Sequence, residues 1–278
     1  MREGMNPNRL ASVDGYKPYV AASIVHLPHG GGYHKDRLNV VKCSLETMRR
    51  NAGLDCQIYV WDNGSCDSFR DWLINEYKPD FLTLSPNVGK SIARASIVRS
   101  MPDNIIIGVS DDDMFFYPDW FKKQLEILQH FPDVGLVSGW PVRTQFRFAA
   151  KTARAWGESH NAITYGKWIT PQEDKDFCTS IGRDYRWHLD NSRNDVEWKL
   201  NWRGKEAYGT GHHCQWIGNA EKIGRFVEYT HQAMAQERIF ENAIDNAGLL
   251  RLTTIERTTR HIGNVLDHEL EVLWRKKE

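Results

Sequence analysis

Two hydrophobic rhythms alternate through the first half of the chain. Apolar runs of strand length occupy residues 19–27, 56–61, 81–84, 104–109 and 134–138. Between them, residues 36–50 place Leu38, Val41, Leu45 and Met48 at helical spacing, and residues 68–77 put Phe69, Trp72 and Leu73 on one face. Residues 91–101 read as a short helix, and Pro118 suits the first turn of a helix carrying Phe121, Leu125 and Leu128. This order predicts an α/β fold, a mainly parallel central sheet flanked by helices. The run 104–109 contains three successive isoleucines, and a continuous apolar run implies burial on both faces, so it is read as a central strand.

The rhythm fails over residues 141–211, where aromatic, charged and glycine residues mix without a template, and an irregular insertion is expected there. Order returns at 215–218 and at 237–247, where Ile239, Phe240, Ala243 and Ile244 form a helical stripe closed by Gly248. Residues 249–255 read as a last strand, and 265–278 as an amphipathic helix. A length of 278 residues fits one domain, because a single core stops growing at roughly 250–300 residues.

Composition narrows the function classes. An apolar fraction of 41% and a charged fraction of 26% describe a chain that folds. Lysine plus arginine equals aspartate plus glutamate at 36 each, which removes the positive field that non-specific nucleic-acid binding needs. Five cysteines, an odd number without a C-x-x-C pair, indicate neither a disulfide framework nor a zinc ribbon, and reduced thiols in a cytoplasm are expected. The first fifteen residues are polar and no run of about 18 apolar residues occurs, so neither secretion nor a membrane span is expected. The basic end Trp274-Arg275-Lys276-Lys277 is either a peripheral membrane contact or a solvated tail. Eleven tryptophans, mostly from Trp140 onward, serve either as packing or as flat platforms for sugar rings.

The chemistry concentrates at strand ends. The strand 104–109 runs straight into Ser110-Asp111-Asp112-Asp113. Clustered carboxylates repel unless a cation or solvent compensates, and magnesium or manganese held by one or two carboxylates can bridge to a diphosphate. Ligands also bind at the carboxyl ends of strands in open α/β sheets. The bland reading is a solvated turn capping the next helix. Asp62-Asn63-Gly64-Ser65 follows the second strand as a turn, with Asp62 placed to accept hydrogen bonds from a base or ribose.

Asn87-Val88-Gly89-Lys90-Ser91 carries the core of a phosphate loop, but Leu84 stands where a complete P-loop has its first glycine. His212-His213-Cys214 does not predict zinc, since adjacent strand residues point to opposite faces and no second ligand pair follows. Glu237 at a helix start and His261 after the last strand stay ambiguous in isolation.

Jointly these segments resemble the family 2 type of GT-A glycosyltransferase over residues 19–264. Asp62-Asn63-Gly64-Ser65 is similar to that family's Asp-x-Gly-Ser turn, Asn87 and Gly89 to its Asn-x-Gly segment, and Asp111 with Asp113 to its D-x-D motif. Ile217-Gly218 and Lys222-Ile223-Gly224-Arg225-Phe226 resemble its "iG" and "kiGrF" stretches. Gln236-Glu237, eleven residues before Gly248, stands where the family has a Glu-Asp pair, a departure that alters the reach of the base by one methylene.

The resemblance implies a donor half over 19–140, an acceptor half over 141–264, an N-terminal extension over 1–18 and a tail over 265–278. It implies donor contacts from Leu27, His29, Asp62, Asn63, Asn87, Gly89, Lys90, Arg94, Asp111 and Asp112. It further implies a manganese or magnesium ion on Asp111, Asp113 and His261, and inversion with Glu237 as general base. Trp140 and Trp216 are candidate acceptor contacts. The expected donor is a UDP-, GDP- or dTDP-linked sugar, and the acceptor class is open. A non-catalytic sugar or nucleotide binder, a retaining transferase and a nucleotidyltransferase are the alternatives on the same scaffold.

Overall fold

A run of valine, alanine and isoleucine around one serine, Tyr19–Val25, forms strand β1 in the computed structural model, which describes residues 17–28, 36–148, 150–227 and 236–276. Helix α1 (Arg37–Arg50) returns to β2 (Gln57–Asn63). Helix α2 (Asp67–Trp72) runs into a π-helical turn, Leu73–Tyr77, and leads to β3 (Phe81–Ser85). Helix α3 (Lys90–Ser100) then precedes β4 (Ile106–Asp111). These four strands pair in parallel in the order β3-β2-β1-β4. Their register sets Val25 beside Asp62 and Ile24 beside Asp111, so both acidic turns leave the sheet at one edge.

Next come β5 (Met114–Phe116), α4 (Trp120–His130) and β6 (Val134–Ser138). Pro118 lies just ahead of α4 rather than in its first turn, and Asp119 takes a left-handed conformation between them. The stretch 141–211 is not irregular, contrary to the expectation from its pattern. After a 3-10 turn (Arg143–Arg147) it contains α5 (Lys151–Ser159), β7 (Ile163–Gly166), α6 (Pro171–Ser180), α7 (Tyr185–Ser192), β8 (Glu197–Trp202) and β9 (Lys205–Tyr208). These elements are short, so none holds enough periods to stand out. One signal was present: Thr170-Pro171-Gln172-Glu173 forms a capping box with proline at the first helical position.

Strand β10 (Gln215–Asn219), α8 (Ala220–Gly224), α9 (Gln236–Asn246), β11 (Leu250–Thr253), β12 (Thr259–His261) and α10 (His268–Arg275) complete the chain. The full order is β3-β2-β1-β4-β10-β6-β11-β9-β8-β7. β10 is antiparallel to both β4 and β6, and β9, β8 and β7 are added antiparallel. The α/β sheet is therefore mixed with a parallel core, not mainly parallel throughout. A separate ribbon pairs β12 with β5 and sets His261 opposite Met114, next to the acidic triplet.

Apolar layers cover both sheet faces, with Leu45, Met48, Phe69, Trp120 and Phe121 on one and Ile97, Ile107, Trp216, Phe240 and Ile244 on the other. Trp216 has no exposed surface and packs on Phe240 with ring centroids 5.5 Å apart. It is a core residue, which removes it as an acceptor contact. All five cysteines are free, and no helix among the described residues is long and apolar enough to cross a membrane.

Gly218 holds β10 in place because a Cβ there would lie 2.7 Å from the Gly135 carbonyl oxygen. Gly218→Ala is expected to lower stability by about 1–3 kcal/mol, measured as a reduced urea midpoint. An unchanged midpoint would contradict this close packing of β10.

Candidate active site at the carboxyl edge of the sheet

Three consecutive carboxylates end β4, and each meets a different partner. Asp111 accepts from Lys90 Nζ at 2.6 Å, and its backbone N–H donates to the Cys214 carbonyl at 2.8 Å. Asp112 is engaged on both oxygens, by the Arg37 guanidinium and by the His26 N–H at 2.9 Å. Asp113 receives Arg37 Nη1 at 3.3 Å, and its carbonyl accepts from the Ile262 N–H at 2.7 Å. His261 Nε2 is 3.4 Å from Asp113 Oδ1 without forming a hydrogen bond. Both Asp113 Oδ1 and His261 Nδ1 are buried without a hydrogen-bond partner.

The electrostatics follow from these contacts. Burial raises the Asp111 carboxyl, but Lys90, with Arg94 and His213, outweighs it and holds the group below the usual carboxylate range. Asp112 is pushed up by burial and by its acidic neighbours, against the pull of Arg37. Arg37 and His26 were not singled out from sequence. His29 lies outside the described residues.

The turn after β2 has a different role from the one its sequence suggests. Asp62 has no exposed surface, accepts from the Ser65 N–H at 3.1 Å and pairs with Arg70 Nε at 2.7 Å. No oxygen is presented to a base or ribose, so Asp62 is a turn-former and not a donor contact. Leu27 is likewise committed: its N–H donates to Ser65 Oγ at 2.9 Å and its side chain lies in the core.

Asn63 and Asn87 tie the two loops together. Asn63 Oδ1 accepts from the Val88 N–H at 2.8 Å, and its Nδ2 donates to Asn87 Oδ1 at 3.1 Å. Asn87 Oδ1 also accepts from the Gly89 N–H at 3.0 Å. Gly64 must be glycine here, since φ is +87° and a Cβ would lie 2.7 Å from the Asn87 nitrogen. The result is that Lys90, the first residue of α3, enters a cavity of about 190 Å³ with His26, Asn63 and the three aspartates.

Glu237, in the first turn of α9, stands beside the cations of α3. It lies 3.6 Å from Lys90 Nζ and 3.7 Å from Arg94 Nη2. Burial raises its carboxyl, but Lys90, the helix start, His213 and Arg94 lower it below the ordinary glutamate value of 4.5. Arg94 is buried, and its Nη2 makes no hydrogen bond. Trp140 is 2% exposed and packs against the rings of Phe177, His212 and His261. It supports His261 from behind and offers no free face to an acceptor, contrary to expectation.

His212, His213 and Cys214 precede β10 and do gather, with one ligand atom from each within 4.8 Å of the others. The strand argument against them therefore does not apply. A different argument does: the imidazoles stack at 4.6 Å and 19°, so their in-plane lone pairs do not converge. His213 Nδ1 is hydrogen-bonded to Glu241 at 2.9 Å, and His212 Nδ1 accepts from the Cys214 N–H at 3.2 Å. Burial lowers the pKa of His212 and raises that of the Cys214 thiol. The trio forms a hydrogen-bonded wall. Beyond it opens a second cleft, of about 370 Å³, lined by α6, α7 and α9.

Lys90→Met is expected to cost about 1–3 kcal/mol, reduced from a fully buried pair because Lys90 is partly exposed. The Asp111 pKa is depressed on folding, so the Lys90 contribution is full above about pH 4 and is lost as pH falls through the folded value. Denaturation of wild type and variant across pH 2–7 should show the gap closing in acid. A gap independent of pH would contradict the Lys90–Asp111 pairing.

Comparison with known proteins places this geometry. No curated protein matches the sequence. Among solved structures, the mannosyltransferase PcManGT from Pyrobaculum calidifontis, determined in complex with GDP-Man and Mn2+, is similar at 16% identity and a TM-score of 0.43. The match covers 86% of this chain and 55% of that one, so the chain spans about half the length of that protein. Residues 34–188, more than half of the sequence, match the model of Glycosyl transferase family 2. The chain belongs to glycosyl transferase family 2.

Proposed function

We propose that this chain transfers a sugar from a nucleoside diphosphate to an acceptor hydroxyl with inversion, in a reaction assisted by a divalent cation. One observation carries the reading: Lys90 of α3 stands between an acid of β4 and the carboxylate at the start of α9, bonded to Asp111 and 3.6 Å from Glu237. Among the described residues, those lining the small cavity fall within 19–140 and those lining the larger cleft within 141–264. That separation supports a donor half and an acceptor half on either side of Glu237.

The UDP-, GDP- or dTDP-linked donor would place its diphosphate against Lys90 and Arg94. Both are cations, and Arg94 Nη2 has an unfilled donor in a buried position. Asn63, Asn87 and Gly89 act by fixing the loop that presents Lys90. Asp113 and His261 suit manganese or magnesium, because a buried carboxylate oxygen and a buried imidazole nitrogen there lack partners. Asp111 adjoins them but is held by Lys90. A divalent cation at this place compensates negative charge on the departing diphosphate.

Glu237 is ionised at neutral pH and fits the role of general base. The acceptor oxygen forms a bond to the anomeric carbon as the carbon–oxygen bond to the diphosphate breaks. The acceptor proton passes to Glu237, and the nucleoside diphosphate leaves with the bonding pair. Attack from the side opposite the leaving group inverts the centre. Five free thiols are in keeping with a reducing, cytoplasmic setting.

Glu237→Gln should lower kcat by about 100- to 10,000-fold while nucleotide binding is retained, read as nucleoside diphosphate release and thermal shift. Near-normal turnover in that variant would remove Glu237 as the base. The base must be ionised and its pKa lies below 4.5, so the acid limb of kcat/KM should fall below pH 4.5, and Lys90→Met should move it upward. In Asp113→Ala the manganese-dependent part of the nucleoside-diphosphate thermal shift should disappear, and its persistence would place the cation elsewhere.

A further inference from the structure

Resting on the transferase reading above, we infer that the 370 Å³ cleft beside Glu237 takes an acidic carbohydrate as acceptor, one bearing a phosphate or carboxylate on a hydroxylated ring. Two kinds of unfilled polar capacity line this cleft, and they ask for opposite partners.

The first is cationic. Arg183 rides over the rings of Phe177 and Trp187 at 5.3 and 5.5 Å, and Arg238 over Phe148 at 4.4 Å. Neither guanidinium makes an ion pair or side-chain hydrogen bond among the described residues, although both border the cleft. The cleft's single carboxylate, Glu241, is already shared by Arg251 Nη2 at 3.2 Å and His213 Nδ1 at 2.9 Å. Local charge is therefore positive, and a guanidinium fork is complementary to a planar or tetrahedral oxyanion.

The second kind is a pair of buried polar atoms without partners. His188 has no exposed surface, and its Nε2 lies 3.1 Å from Asp174 Oδ1. A carboxylate only accepts, so Nε2 carries a proton, and Nδ1 has no partner. Gln145 Oε1 is likewise buried and unpartnered. A hydroxyl both donates and accepts, so it satisfies either atom. Trp187, 55% exposed, supplies an apolar face of the kind on which a sugar ring rests. A neutral sugar would leave the arginines unfilled, and a simple anion would leave Gln145 Oε1 unfilled.

Position supports the assignment. Glu237 and Glu241 are one turn apart on α9, a rise of about 5–6 Å, with Glu241 in the cleft and Glu237 facing Lys90. A hydroxyl of a sugar bound in the cleft therefore lies within about one ring of the proposed base.

The test is direct binding by calorimetry to the full chain without donor, using methyl glucuronide, glucose 1-phosphate, neutral methyl glucoside and phosphatidylinositol vesicles. The acidic probes should bind about tenfold tighter than the neutral glycoside, and Arg183→Gln with Arg238→Gln should abolish that preference. Added salt on the unmodified protein should narrow the same preference, which serves if the double variant does not fold. Binding of the vesicles alone would assign the anionic sugar to a lipid, and binding of the free probes to a soluble source. Equal affinity for acidic and neutral sugars, or no binding of any probe, overturns the inference. Failure of every donor to release nucleoside diphosphate would instead sink the transferase reading, since the binding measurement uses no donor.

Discussion

Three adjacent carboxylates at the end of a buried strand are the constraint around which this molecule is arranged. At an effective dielectric near 20, two such charges about 4 Å apart repel by about 4 kcal/mol, comparable to much of a domain's net stability. The chain answers with side chains of its own: Arg37 spans Asp112 and Asp113, and Lys90 takes Asp111. Those two cations begin α1 and α3, so both helices must start at the same sheet edge. The parallel order β3-β2-β1-β4 delivers them there, because each crossover helix starts from the carboxyl end of the strand before it.

The second half of the sheet serves the same edge by different means. Placing β10 antiparallel beside β4 brings Cys214 onto the Asp111 N–H and stands the His212–Cys214 wall between the two cavities. The β5–β12 ribbon fixes His261 against Asp113, and Trp140 backs that imidazole at 6.1 Å. Glu237 arrives from α9, which packs through Phe240 and Ile244 under the sheet. Long-range packing therefore decides which residues become neighbours at the site.

That division explains what could be read from the sequence. The strand–helix alternation of the first half was legible because its elements are long enough to repeat a period, and the acidic triplet because its junction with a run of isoleucines is abrupt. Lys90 and Arg94 do meet Glu237, and Asp113 does meet His261. Asp62, Leu27, Trp140 and Trp216 had plausible residue types, but their functions depend on which atoms are already bonded or buried, and composition does not carry that. Arg37 escaped notice since nothing local marks it as the partner of acids 75 positions away. The antiparallel strands β7, β8 and β9 escaped because four to six residues hold too little alternation to distinguish strand from loop.

The charge balance also bears on why side-chain cations do not make a metal redundant. Before a donor arrives, the carboxylates of Asp111, Asp112, Asp113 and Glu237 face Arg37, Lys90 and Arg94, with one negative charge in excess. A diphosphate adds further negative charge and competes with Asp111 and Glu237 for the same Lys90. On that proposal, drawing Lys90 toward phosphate would remove the partner that depresses both carboxyls, making Glu237 a stronger base and leaving Asp111 without its cation. On the proposed reading the site is thus close to balanced before the donor binds and short of positive charge afterwards, and a divalent cation beside Asp113 would correct a deficit that the donor itself creates.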